Sequence, residues 1–176
     1  MGKQYKSLTD ADIEFIKKQK LFYLASASDK EVNLSPKGYD SIRVLDKNTL
    51  VFLNYPGSGN RTYRDAKNSG EFTLVFNAFD GDAKILRLFC KAKIVDSQDD
   101  VFSKYLKMFA EKRSLVRDFF EFDIYAVESS CGQSVPFMEY KSDRKSLKNW
   151  VVKMDENSKL EEYKAKRIIP PNLENL

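Results

Sequence analysis

Asn33, Ser35 and Lys37 alternate with Val32, Leu34 and Pro36, and Gly38 closes the run. Further along, Gly57-Ser58-Gly59-Asn60-Arg61-Thr62 forms a glycine-rich stretch. In a strand, alternate side chains share a face. An amide, a hydroxyl and an ammonium therefore line up on one side of the first stretch, leaving Val32, Leu34 and Pro36 to pack into a core. The second stretch runs into a helix from about residue 60, with backbone N–H groups pointing at whatever lies before it. Together the two stretches have the chemistry of an anion cradle, suited to a phosphate.

Arg61 and Arg64 fall in the first turn of that helix. The helix dipole disfavours cations there by roughly 0.3–1 kcal/mol, and Asp65 offsets only part of it. A bound phosphate would make the arrangement sensible. A solvated loop with outward arginines is the other reading, and this stretch leaves both open.

The chain contains no histidine. That excludes Ser–His–Asp and Cys–His nucleophile systems, histidine zinc sites and histidine-ligated haem. Cys90 and Cys131 are too few for a disulfide scaffold and make a poor metal site, so no metal is expected. Redox chemistry here would need an organic cofactor. The 176 residues fit one domain with a helical appendage over about 142–176, and the net charge of +4 is mild and interspersed. No apolar run approaches the ~20 residues of a membrane helix, and no apolar region follows the first residues. A cytoplasmic chain with free thiols is expected.

Positioning those residues requires strands. Apolar and alternating runs predict strands at 21–27, 31–36, 49–54, 72–78, 85–95 and 122–128. Thr9 and Asp12 form a capping-box pattern ahead of a helix over about 10–19. Further helices are expected at about 60–68, from 98 to about 120 in two pieces, from Ser142 and over Leu160–Lys166. Pro170-Pro171 should end ordered helix, leaving the last residues to fray. The reading is a mainly β protein: six antiparallel strands in a small closed or partly open barrel, with peripheral helices.

Two face counts sharpen this. Along the long strand, Leu86, Leu88, Cys90, Ala92 and Ile94 make an apolar face, placing Cys90 in the core as an inert thiol. Arg87 and Phe89 lie on the outer face, where a subunit interface or a flat anionic cofactor would suit them. Thr49–Tyr55 is apolar on both faces, so its outer side needs a helix or another subunit. A homodimer is expected for that reason.

These anchors, in order and spacing, resemble the FMN-binding proteins related to pyridoxamine 5′-phosphate oxidase over about residues 10–150. Val32–Gly38, Gly57–Thr62, Phe72–Phe76 and Leu86-Arg87-Leu88 with Lys91-Ala92-Lys93 carry the resemblance. Cys131-Gly132-Gln133-Ser134-Val135-Pro136 is similar to a Cys-Gly-x-x-Val-Pro segment of one branch. The resemblance implies an FMN-binding split barrel, a six-stranded antiparallel Greek key, dimeric with flavin at the subunit interface. It implies that Lys37 and Ser58, Gly59, Asn60, Arg61 and Thr62 hold the flavin phosphate, with Arg61 the main charged contact. Asn33, Ser35, Pro36 and Gly38 would follow the ribityl chain and ring, and Arg87 would approach from the outer face. Cys131 and Gln133 would reach flavin from the partner subunit. Relatives that oxidise pyridoxamine phosphate use a C-terminal arginine and histidine. Arg167-Ile168-Ile169-Pro170 only echoes such an ending, and the missing histidine puts that reaction in doubt.

The expected function is an FMN-dependent oxidoreductase acting on a small-molecule redox substrate, with no nucleic acid or membrane partner. Tyr39, Tyr63, Cys131 and Glu139 stand near the motifs, each also explicable as a structural residue, and no catalytic group is assigned. A flavin carrier, store or redox sensor is the alternative, and deazaflavin is a chemical cousin of the cofactor. A nucleic-acid-binding barrel using Arg87, Phe89, Lys91 and Lys93 would need a stronger basic stripe.

Overall fold

The computed structural model describes residues 2–170 and Leu173. Its elements are β1 (Lys3–Tyr5), α1 (Asp10–Lys18), β2 (Phe22–Ala27), β3 (Val32–Lys37), β4 (Ile42–Val44), β5 (Thr49–Asn54) and α2 (Arg61–Lys67). Then follow β6 (Glu71–Asn77), β7 (Ile85–Val95), α3 (Phe102–Phe109), β8 (Asp118–Ser130), α4 (Ser146–Glu156) and α5 (Leu160–Lys166). Of the Pro170-Pro171 stop, Pro171 lies outside the described residues, as do residues 172 and 174–176.

One antiparallel sheet runs β3-β2-β6-β7-β8-β5-β4, with β1 also paired to β8. The sheet curls as a split barrel whose edges are β3 and β4. The six expected strands are all present. The count rises to eight because β1 and β4 are three-residue strands, too short to show an alternation. The last strand also starts earlier than its sequence pattern predicts, at Asp118 rather than Phe122. Ala110, in left-handed backbone at φ 51°, ends α3. Beyond it Phe119 and Phe120 alternate between two cores, a strand period and not a helical one.

The inner core takes one face of each long strand. Phe22 and Leu24, Leu50 and Phe52, Phe72, Leu74 and Phe76, Leu86, Leu88 and Cys90, and Phe120 and Phe122 are all buried in it. Phe22 stacks on Phe76 with ring centres 5.4 Å apart. Cys90 is an interior thiol, and burial pushes its pKa up.

The second core lies outside the barrel. Val51 and Leu53 of β5 meet Val95, Phe119 and the α3 residues Phe102, Tyr105 and Phe109. The outer face of β5 is therefore covered by the chain's own helix, and this strand does not call for a second subunit. α1 opens with the capping box: Thr9 Oγ1 accepts from the Asp12 N–H, and Thr9 N–H donates to Asp12 Oδ2 at 3.0 Å. Among the described residues no helix is long and apolar enough to cross a membrane.

Candidate functional site

The barrel is open between β3 and the end of β5, and a cavity of about 430 Å³ lies there. That volume falls in the range of roughly 300–1,000 Å³ usual for small-ligand sites. Asn33, Ser35, Pro36, Lys37 and Gly38 border it from β3, and Ser58, Gly59, Asn60, Arg61 and Thr62 from the loop into α2. The two polar stretches of the sequence thus meet across one space.

β3 presents the opposite face from the one its composition suggested. Lys37, Ser35 and Asn33 pair in register with Phe22, Leu24 and Ser26, which are inner residues of β2. Register therefore turns the polar row inward. Val32 and Leu34 stand out to solvent, 77 % and 64 % exposed. Among the described residues nothing covers this outer face, so its apolar side chains are left bare.

Lys37 has no ion-pair partner among the described residues. Its ammonium lies 5.7 Å from the centre of the Phe52 ring. Burial holds its pKa below the usual lysine value, and the charge of Asp118 restores part of it. A half-buried cation in no salt bridge among the described residues, facing a cavity, suits an anionic ligand.

The glycine loop is held from behind. Arg117 donates to the carbonyls of Gly57 at 3.0 Å and Gly59 at 3.2 Å. Its Nε is buried without a hydrogen-bond partner among the described residues. A Cβ built on Gly59 would meet no atom within 4 Å, so the space before the loop belongs to the cavity. Asn60 does not cap α2. Its side-chain amide donates to the Ile168 carbonyl at 2.7 Å.

The misplaced arginines find protein partners. Glu31 accepts from Arg61 at 2.6 Å and from Arg64, which also bonds Asp65 at 2.8 Å. Two carboxylates, not a phosphate alone, make these cations tolerable at the helix start. Asp65 is wholly buried and also accepts from Ser26 Oγ at 2.6 Å and Ser28 Oγ at 2.8 Å. Asn33 Nδ2 reaches Ser26 Oγ and Thr62 Oγ1 at 3.1 and 3.3 Å. One network thereby fixes α2, β2 and β3 in relation to the cavity.

Of the remaining walls, Tyr39 stood near the motifs in the sequence and Pro170 in the Arg167–Pro170 echo, and the others were not legible as site residues. Tyr39, Ser41, Phe52, Leu53, Asn54 and Tyr55 come from β5 and the β3–β4 connection, and Leu147 and Pro170 from the C-terminal segment. Tyr39 has φ 60° and donates its hydroxyl to the Arg144 carbonyl at 2.6 Å. Its ring meets Tyr55 edge-on at 5.7 Å. Burial and the bond to Glu111 push the Tyr55 phenol up to about 12. For the walls the sequence had not marked, polar Asn54 ending an apolar strand was a signal available in it.

Arg87, Cys131 and Gln133 do not join the cavity within this chain. Arg87 stands on the outer sheet face, bonded to Glu128 at 3.2 Å and Ser130 at 2.9 Å. Cys131 and Gln133 are exposed at the far end of β8, where Gly132 lies against the backbone of Lys84.

A family model described as pyridoxamine 5′-phosphate oxidase matches residues 8–131. The chain belongs to the pyridoxamine 5′-phosphate oxidase family. It is 33 % identical over 145 residues to the pyridoxamine 5′-phosphate oxidase family protein ustO of Aspergillus flavus. That alignment takes in 79 % of this chain and 58 % of the relative, so the chain spans little more than half of that protein's length. Solved structures agree on the fold. One, assigned as a pyridoxamine 5′-phosphate oxidase of Lactobacillus delbrueckii, shares 23 % identity at a TM-score of 0.53, covering 70 % of this chain and 98 % of its own. Another, the FAD and haem binding protein of Mycobacterium smegmatis, shares 14 % at a TM-score of 0.56, covering 84 % and 80 %. The family match ends at Cys131, so α4 and α5, which bring Leu147 and Pro170 to the cavity, lie beyond it.

Proposed function

We propose that this family member is an FMN-binding flavoprotein, an oxidoreductase acting on a small-molecule redox substrate. The observation that carries the reading is the meeting of the Asn33–Lys37 row with the Gly57–Thr62 loop across one cavity. A neighbour of the same fold named for binding FAD supports a flavin. FMN would supply hydride or electron transfer. The chain's own part is to bind and orient it. Lys37 gives the phosphate an ammonium, Ser58 and Thr62 give hydroxyls, and the glycine loop gives N–H groups. Phe52, Tyr39 and Tyr55 give apolar walls.

The first test is the visible spectrum of purified protein, with FMN added if it is colourless. Bands in the blue and near-ultraviolet are expected, and their absence after saturation would sink the cofactor. Lys37→Ala should then weaken FMN binding by about 1.5–3 kcal/mol, the worth of a charge-assisted phosphate bond. Riboflavin, lacking the phosphate, should be nearly unaffected. Arg61→Ala should cost less, because Glu31 already engages that guanidinium. Equal losses for FMN and riboflavin would remove Lys37 from the phosphate site.

A homodimer belongs to the same reading, on different grounds from the apolar strand β5. Val32, Leu34 and Pro36 share an outer face with Tyr23, Ala25, Val75, Arg87 and Phe89 through the paired registers of β2, β6 and β7. A partner seated on this face would cover the exposed edge and bring Arg87 to an interface, with FMN beside it. Light scattering should give the mass of two chains, and Leu34→Lys should shift it toward one. A wild-type monomer at micromolar concentration would end this part of the reading.

A carrier or store remains the second reading, favoured by one observation. Among the described residues the cavity lining includes no carboxylate and no thiol, the groups that, with histidine absent, most often carry proton transfer. Failure of nicotinamide nucleotides and of other reductants of similar potential to bleach bound FMN catalytically would favour it.

A further inference from the structure

Behind the cavity wall lies a carboxylate that the proposed flavin contacts do not use. Asp118 opens β8 and pairs in register with Asn54 of β5. Its side chain is buried, and Asn54 Nδ2 donates to its Oδ1 at 2.9 Å. Asn54 lines the cavity, and so does Lys37. The charged groups facing Asp118 are Arg117 beside it, Asp96 after β7, Lys164 of α5 and Lys37 of β3. None of them forms a salt bridge with it among the described residues. Arg117 is spent on the Gly57 and Gly59 carbonyls, and Lys164 on Glu161 and the Ser114 carbonyl.

We infer that an anion entering the cavity brings a proton with it onto Asp118. The inference rests on the reading of the cavity as a phosphate site. A phosphate beside Lys37 places negative charge near a buried carboxylate, where screening by water is weak. It also takes up the ammonium that otherwise favours the ionised form of Asp118. Both effects make ionised Asp118 less stable in the complex than in the free protein. By linkage, the ligand raises the proton affinity of Asp118 by the same factor as protonation raises the affinity for the ligand. The proton comes from the buffer acid: an O–H bond forms on a carboxylate oxygen, and the buffer is left as its conjugate base. Burial already pushes the Asp118 carboxyl up to about 7, against the smaller pull of Asn54 and Arg117, so both forms are populated at neutral pH.

The test is carbon-13 NMR of aspartate carboxyls in the wild-type chain, titrated from pH 5 to 9. It is run free, with saturating FMN and with saturating inorganic pyrophosphate. One resonance, missing in Asp118→Asn, should titrate near neutrality in the free protein. Its midpoint should rise by about half a unit or more with either anion. Calorimetry of FMN binding in two phosphate-free buffers of different ionisation enthalpy should show up to about half a proton more uptake at pH 7 than in Asp118→Asn. The phosphate group's own proton is common to both proteins and cancels. A midpoint that stays or falls with a bound anion would overturn the inference, as would one moved by neither ligand. A rise with pyrophosphate and no binding of FMN would overturn the flavin reading and leave the proton linkage standing. Should Asp118→Asn fail to fold, the wild-type titration decides alone.

Discussion

Asp65→Ala should lower folding stability by about 3–5 kcal/mol, because it removes one partner of a buried charged network and strands the others. Asp65 is wholly buried and accepts four bonds, from Ser26 Oγ, Ser28 Oγ, and Arg64 Nε and a terminal nitrogen. After the substitution Arg64 keeps only Glu31. Ser26 keeps only the amide of Asn33, which donates to its oxygen and leaves its O–H without an acceptor. Asp65→Asn should be milder, since the amide oxygen can still accept. The measurement is urea unfolding with the slope held as a check on two-state behaviour. A loss below about 1 kcal/mol would mean that α2 is held by packing of Tyr63 and Ala66 on the inner core. The consequence reaches function, because the same network ties Asn33 to Thr62 across the cavity. Asp65→Ala should therefore loosen the ligand site along with the helix.

What the sequence made legible follows from periodicity, and what it hid follows from distance along the chain. The two-residue period of β7 placed Leu86, Leu88 and Cys90 inside correctly, because both neighbours of that strand enforce the same faces. The same period in β3 separated Asn33, Ser35 and Lys37 from Val32 and Leu34. It could not say which set faces inward at an edge, and register with β2 decides that. Arg61 and Arg64 looked unexplained because Glu31, their shared partner, sits 30 and 33 residues earlier, with three strands between. Asn54 and Asp118 meet across 64 residues. The cavity wall from Leu147 had a helical face in the sequence, but that face did not reveal which residue turns toward the barrel. Trp150, on the same face, packs against Tyr163 instead.

Asp118→Asn should remove most of the fall in stability from pH 4 to 7, and this is the second large effect. The folded-state pKa is raised to about 7 from 3.8, with burial the main cause. A raised value means that the folded state prefers the protonated carboxyl. Its contribution is full below about pH 4, is lost as pH rises toward 7, and is flat above that. Three pKa units amount to about 4 kcal/mol. Asp12 has the opposite sign: burial raises it, but bonds from Lys84 and Thr9 outweigh that and hold it below the usual value. Its contribution is therefore present above about pH 4 and lost below, outside the window of Asp118. Asp96, raised by burial, adds some slope inside the window, so the difference between wild type and variant is the quantity to measure. The asparagine keeps an oxygen to accept from Asn54 but buries a new N–H₂ group, at a cost of about 1–3 kcal/mol. The variant should thus be less stable than wild type at pH 4 and more stable by about 1–3 kcal/mol at pH 8. The two curves should cross near pH 5–6. Parallel curves would show that Asp118 titrates as an ordinary carboxylate, and the proton linkage at the cavity would lose its physical basis. A crossing would show that the chain gives up stability at neutral pH to keep an ionisable group behind Asn54.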